Sequence, residues 1–146
     1  MDTEECQKVS VAGLLILNGK ALVVRRSGKE TFLPGVYEIP GGKVEFGEKP
    51  NQSIIREFQE EVNLKIKPLI PFRVFDYISK EGKRQTIEIV YLVELDNDTA
   101  NNLKLSDAHD KYEWVGKDYI SELNLSDEIR LDLEDGFRIF FQVFHH

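Results

Sequence analysis

Cysteine is nearly absent: the 146 residues contain one, Cys6. That excludes an internal disulfide framework and any metal cage built from several cysteines. Long apolar runs are missing as well. None approaches the roughly 20 residues needed to cross a bilayer, so no membrane partner is expected. Positive charge is in deficit, with 19 Lys and Arg against 26 Asp and Glu and a net charge of −7. This argues against a chain whose main task is to coat a nucleic-acid polymer. Small anionic ligands stay open, because a bound divalent cation inverts the local field. The opening Met1-Asp2-Thr3-Glu4-Glu5 is acidic and does not read as a signal or transit peptide. A cytoplasmic protein is the expectation. What the chain does contain is well-spaced apolar residues, 41% of the total. They suit a single globular domain over 1–146.

Apolar runs at Val9–Leu17 and Ala21–Val24 flank Asn18-Gly19, the pattern of a β-hairpin. Ser27–Gly35 reads as a loop and Tyr37–Ile39 as a short alternating segment that stops at Pro40-Gly41-Gly42. Lys43–Phe46 reads as extended. Pro50–Val62 reads as a helix, with Pro50 at its first position. Gln52 can bond back to the Lys49 backbone, and Asn63 suits a left-handed closing residue. Leu64–Ile78 and Thr86–Leu95 read as two long strands around Glu81-Gly82-Lys83. Asp96–Asn102 reads as a loop, Tyr112–Val115 as a strand and Lys117–Leu123 as a helical turn. Ser126–Phe144 has helical spacing, with Gly136 as a point for a kink. Its many Phe residues suit the core; the alternative is a homodimer surface. The order of strands, helix, strands, helix predicts an α+β fold with helices packed on a mixed sheet.

The chemistry concentrates in Gly42–Leu64, GKVEFGEKPNQSIIREFQEEVNL. On a helix of 3.6 residues per turn, Glu57, Glu60 and Glu61 share one face. Ile54, Phe58 and Val62 point about 100° away, so one side can be buried while the acids face a cleft. Arg56 lies beside Glu60 at i,i+4 and can orient it. Three acids on one turn repel each other and raise each other's pKa. A hard divalent cation, Mg²⁺ or Mn²⁺, removes that penalty. Mg²⁺ sites combine few carboxylates with waters and substrate phosphates, so the pattern points to phosphate chemistry. A solvated acidic helix face is the competing reading. Pro40-Gly41-Gly42 can bring backbone close to a ligand, or can simply be a turn.

These residues resemble the signature of the Nudix hydrolases, Gly-x5-Glu-x7-Arg-Glu-U-x-Glu-Glu-x-Gly-U, where U is bulky and apolar. Gly42, Glu48, Arg56, Glu57, Phe58, Glu60, Glu61 and Leu64 stand in register. At average residue frequencies, chance yields such a match with a probability on the order of one in ten thousand or less. Tyr37-Glu38-Ile39-Pro40-Gly41-Gly42 is similar to the family's aromatic-Glu-x-Pro-Gly-Gly lead-in, and the resemblance is to MutT-like members. Two positions depart: the final Gly is Asn63, and Lys49 stands where a small capping residue is usual. The resemblance implies an α/β/α sandwich with a central mixed sheet and helices on both sides. It further implies Mg²⁺-dependent, or Mn²⁺-dependent, hydrolysis of a nucleoside diphosphate linked to another group.

On that resemblance Glu57, Glu60, Glu61 and the Gly42 carbonyl hold the metal. Glu57 polarises the attacking water, with Glu60 the second choice. Glu48 is an outer ligand or helix support, and Arg56 orients the acids. Many members have a Glu-His pair in a later loop; here it is Ala108-His109, with Asp107 and Asp110 beside it. The base outside the signature is therefore open, with Asp107 or Asp110 as substitutes, and His109 is either a substrate contact or, alternatively, a structural hydrogen bond or part of an exposed loop. Tyr37 and the pair Arg25 and Arg26 are candidate substrate contacts. Alternation along a strand lets only one arginine of the pair face inward. Trp114 suits the core. His145 and His146 are left out of any site. Three readings stand: a pyrophosphohydrolase, a non-catalytic nucleotide-binding module, and a scaffold with an acidic helix. Pro68 and Pro71 come too soon after the signature for the proline that marks ADP-ribose hydrolases in the family. A nucleoside triphosphate, normal or oxidised, is the default small-molecule partner.

Overall fold

The computed structural model describes residues 4–28, 34–97 and 99–144. The middle of the predicted 27–35 loop and His145 and His146 lie outside them. The strands are β1 (Cys6–Leu17), β2 (Lys20–Arg26), β3 (Tyr37–Glu38), β4 (Gly41–Lys43), β5 (Ile66–Ser79), β6 (Arg84–Leu95) and β7 (His109–Val115). The helices are α1 (Pro50–Val62) and α2 (Asp127–Ile139), and α2 runs into a π-helical turn, Phe140–Phe144. The principal sheet order is β3-β2-β1-β6-β5, with β4 added to β1 and β7 to β2. β1 and β6 are parallel over ten residue pairs, and the other pairings are antiparallel. This is a mixed sheet with helices, as predicted.

Alternation along the strands divides the core in two. Ala12, Leu14, Ile16, Ala21, Val23, Val90 and Leu92 join Leu133 and Phe137 of α2. Val11, Leu15, Leu22, Val24, Tyr91 and Val93 join Ile54, Phe58 and Val62 of α1. The helices therefore cover opposite faces. Two glycines let them dock on consecutive residues of β1. A Cβ on Gly13 would meet the Phe58 ring and Ile54 of α1. A Cβ on Gly136 of α2 would overlap Leu14. Gly136 is thus a point of close approach and not a kink, and α2 runs through it unbroken.

Local chemistry sets the ends of the elements. Asn18 and Gly19 both take positive φ, 53° and 77°, as a tight hairpin turn requires. Lys49 is extended before Pro50, as the residue before a proline must be. Gln52 Oε1 accepts the Lys49 backbone N–H at 3.2 Å. Asn63 closes α1 at φ 58° and ψ 38°, the left-handed conformation that Asn tolerates. Ser126 is the N-cap of α2, its hydroxyl accepting from the Ile129 N–H. Gly41–Lys43 is a strand and not a turn, paired with Ser10–Ala12. The extended segment thus begins two residues before the predicted Lys43. β5 forms one edge of the sheet, and its register shifts twice, next to Pro68 and Pro71.

Candidate active site

The signature residues come together where α1 lies against β4. Arg56 is the hub. Its Nε donates to Glu48 Oε2 at 2.8 Å, and Nη2 donates to Glu48 Oε1 at 3.0 Å and to the Lys43 carbonyl at 2.9 Å. Its Nη1 donates to Glu57 Oε1 at 2.8 Å and to Glu60 Oε2 at 3.2 Å. All five guanidinium N–H groups are used. Glu48 also accepts from the Ser53 hydroxyl and the Glu45 N–H. These bonds hold its carboxyl well down, to about 2, with the bond to Arg56 the largest cause. Glu48 thereby ties the loop before α1 to the helix.

Glu61 turns the other way. Its Oε1 accepts the Gly41 N–H at 2.8 Å. Burial pushes its pKa up to about 8, and the neighbouring Glu38 and Glu57 charges add to the rise. Glu57 is raised as well, by burial above all and against the pull of Arg56. Its carboxyl group lies on Gly42, where an added Cβ would overlap it. Gly41 is equally constrained, since a Cβ there would run into the Val11 backbone of β1. The two glycines are therefore needed for close approach: one admits β1, the other the Glu57 carboxylate.

The trio predicted to share one face is thus divided about the β4 backbone. Glu57 and Glu60 sit on Arg56, and Glu61 sits on Gly41. Among the described residues, no three Asp, Glu, His or Cys side chains converge on one point at metal distance. The donor set nevertheless suits a hard divalent cation. It is all oxygen, it includes buried like charges, and Glu61 has one backbone N–H as its hydrogen-bond donor.

A cleft of about 410 Å³ opens beside Gly41, Gly42 and Glu61. Glu38, Arg26 and His109 form its next wall. His109 Nε2 lies 2.7 Å from Glu38 Oε2, and Arg26 Nη1 donates to the same oxygen at 3.4 Å. His109 is buried, and its Nδ1 has no hydrogen-bond partner among the described residues. Arg26 faces this cleft, while Arg25 points outward to Asp110, Nε to Oδ1, at 2.8 Å. The alternation rule separates the pair as expected. Asp107 is exposed, and Ala108 lines the cleft at the position of the family's loop acid.

Tyr37 is not brought to the cleft. It is buried in the core under α2. Burial, followed by the influence of the Glu113 carboxylate, raises its pKa to about 12. Trp114 packs against the α1-side core, as predicted. Sequence reasoning missed Glu88, Phe75 and Tyr77, which also line the cleft. The signal was Glu88 itself, an acid inside the branched run Thr86–Leu95. It also missed Arg73, which bonds Glu128 and Asp132 at 2.6 Å each.

The NUDIX domain model matches residues 7–131, and the chain belongs to that family. It is 31% identical over 72 residues to the 8-oxo-dGTP diphosphatase of Escherichia coli K12, covering 49% of this chain. That match spans 56% of the relative, little more than half its length. It is 28% identical over 116 residues to the nucleoside triphosphatase NudI of Escherichia coli, covering 75% of this chain and 82% of the relative. The MutT protein of Methanosarcina mazei Go1 superposes with a TM-score of 0.78 at 26% identity, covering 94% of this chain and 97% of that one. No described helix is long and apolar enough to cross a membrane.

Proposed function

We propose that this protein is a divalent-metal-dependent pyrophosphohydrolase acting on a nucleoside triphosphate, normal or oxidised. One observation carries the reading: Glu48, Arg56, Glu57, Glu60 and Glu61 are all present where α1 lies against the glycine strand β4, and Glu61, Gly41 and Gly42 line a cleft. Glu57, Glu60 and Glu61, with the Gly42 carbonyl, would hold Mg²⁺ or Mn²⁺. When bound, the cation neutralises diphosphate charge and activates water. The chain's own residues do the rest. Gly41 and Gly42 let phosphate oxygens approach the backbone. Arg26, which donates to Glu38 in the cleft wall, would hold a phosphate by charge-assisted bonds. Arg56 fixes Glu57 and Glu60 relative to Glu48. Glu57, with its raised pKa, is the first candidate to accept a proton from the attacking water.

The test is a nucleotide panel with Mg²⁺, ADP-ribose included, with products identified to show which phosphorus is attacked. Release of phosphate or pyrophosphate from a triphosphate is the expected result, lost on Glu57→Gln. A second reading, a non-catalytic nucleotide-binding module, draws on the engagement of Glu57 and Glu60 by Arg56. Tight nucleotide binding without turnover at any Mg²⁺ concentration would establish that reading and end the first.

A further inference from the structure

Glu88 occupies a position where an apolar residue would extend the core. It precedes Val90 and Leu92 on the α2-facing side of β6, and both of those are buried. Its neighbours in the sheet are Ser10 of β1 and Phe75 of β5. Its side chain lines the cleft, across Ser10 of β1 from Lys43 of β4. Phe75 and Tyr77 add aromatic surface to the same cleft, and Ser126, Glu128 and Ile129 of the α2 start line it as well.

This carboxyl group has no donor. No described residue gives Glu88 a hydrogen bond or an ion pair. Arg73 is the cation that acts on it, but that guanidinium is already bonded to Glu128 and Asp132. Burial, with the Asp132 and Glu38 charges next, lifts Glu88 to about 7. Glu88 is part-buried and open to the cleft, so a ligand seated there can supply the donors that the described residues do not.

We propose that Glu88 reads the base of the nucleotide, its carboxylate accepting the two adjacent N–H donors of a guanine-type edge. The inference rests on the nucleotide reading above. Guanine presents N1–H and the exocyclic amine side by side, two donors for two oxygens. Adenine presents one amine beside an acceptor nitrogen. Uracil presents one N–H between two carbonyls, which repel a carboxylate. Flat walls then hold the ring while the edge is read. 8-Oxoguanine shares this edge, so the assay separates the two sources by comparing dGTP with 8-oxo-dGTP.

The experiment measures kcat/KM of the full chain with Mg²⁺ for GTP, ITP, ATP, dGTP, dATP and 8-oxo-dGTP. GTP should exceed ATP by about tenfold or more, the discrimination of a bidentate pair. ITP, which lacks the exocyclic amine, should fall between them. In Glu88→Gln the amide offers one acceptor and one donor, matching adenine, so the preference should swing toward ATP by about tenfold. Calorimetric binding of GMP and AMP reads the base without turnover. If no triphosphate is cleaved yet GMP outbinds AMP and Glu88→Gln reverses the order, the hydrolytic reading fails and the base assignment stands. Equal rates on GTP and ATP, or an unchanged ratio in Glu88→Gln, overturn the assignment and leave hydrolysis intact. If that variant does not fold, ITP cleaved as well as GTP by the unaltered protein overturns it alone.

Discussion

Two arginines, each among three acids, sit on opposite faces of the sheet. Arg56 joins Glu48, Glu57 and Glu60 on the α1 side. Arg73 of β5 joins Glu128, Asp132 and Asp135 of α2, the last at 3.9 Å. Their composition is nearly the same and their settings differ. Asp132 is fully buried, and the Arg73 guanidinium lies 4.8 Å from the Phe75 ring. Glu60 is 58% exposed, and Glu57 meets the bare backbone of Gly42. The Arg73 cluster ties β5 to α2; the Arg56 cluster borders a glycine strand and the raised Glu61. An arginine ringed by acids is therefore not a site by composition. What surrounds it decides whether it fastens two elements or presents oxygens to a ligand.

The sharpest way to break this contrast is to neutralise one acid on each side. Glu57→Gln and Glu61→Gln should each lower kcat/KM by about a thousandfold, roughly 4 kcal/mol of transition-state stabilisation, with circular dichroism unchanged. Asp132→Asn should leave the rate within about threefold, well under 1 kcal/mol. A near-normal rate in either glutamine variant would sink the assignment of that acid.

Removing the hubs comes next. Arg73→Ala leaves Asp132 buried and unpaired and should cost about 3 kcal/mol in urea unfolding. Arg56 is more exposed, so Arg56→Ala should cost about 1 kcal/mol while lowering turnover steeply. Equal stability losses from the two variants would erase the distinction drawn between them.

Acidity provides a gentler probe. Asp132 and Glu88 are each raised to about 7 and Glu61 to about 8, burial being the first cause in all three. The folded chain therefore holds protons that the unfolded chain has released by about pH 5. Stability from these groups is complete below pH 4 and declines as pH rises toward 8. The metal-free protein should melt several degrees higher at pH 5.5 than at pH 8. Mg²⁺ at pH 8 should recover part of that difference, because it stabilises the ionised form of Glu61 alone among the three. A melting temperature flat across this range would contradict the burial of these carboxyls. The smallest effect is expected from Glu48→Gln. It loosens the loop before α1 by removing the charge that Arg56 and Ser53 hold, a shift in urea midpoint smaller than that of either arginine variant, and leaves the pH dependence in place.

Much of this was legible in the sequence where local chemistry governs. Pro50 and Asn63 bound α1 as read, and Asn18-Gly19 turns the first hairpin. Ile54, Phe58 and Val62 are all buried. What the sequence hid is non-local. The parallel register of β1 on β6 joins segments some 80 residues apart, and no short-range pattern encodes it. Gly41 and Gly42 looked like a turn, because the β1 backbone that makes them a strand lies elsewhere in the chain. Gly136 looked like a weak point in a helix, because Leu14 was not in view. The helical wheel placed Glu57, Glu60 and Glu61 on one face correctly, but a wheel carries no information about Arg56 or the Gly41 N–H drawing them apart. The resemblance supplied the candidate site residues of α1. It could not supply Glu88, which lies outside the signature.

The two prolines of β5 have a consequence for how copies of this protein coexist. β5 is a long border strand with Val74 and Ile78 facing solvent, which invites unwanted accretion of neighbouring chains. Pro68 and Pro71 each remove an amide donor, and the ladder slips beside both. An incoming strand would find a broken template along half of that border. The same imino acids beside which the β5 ladder slips thus work against fibrous self-association at high concentration.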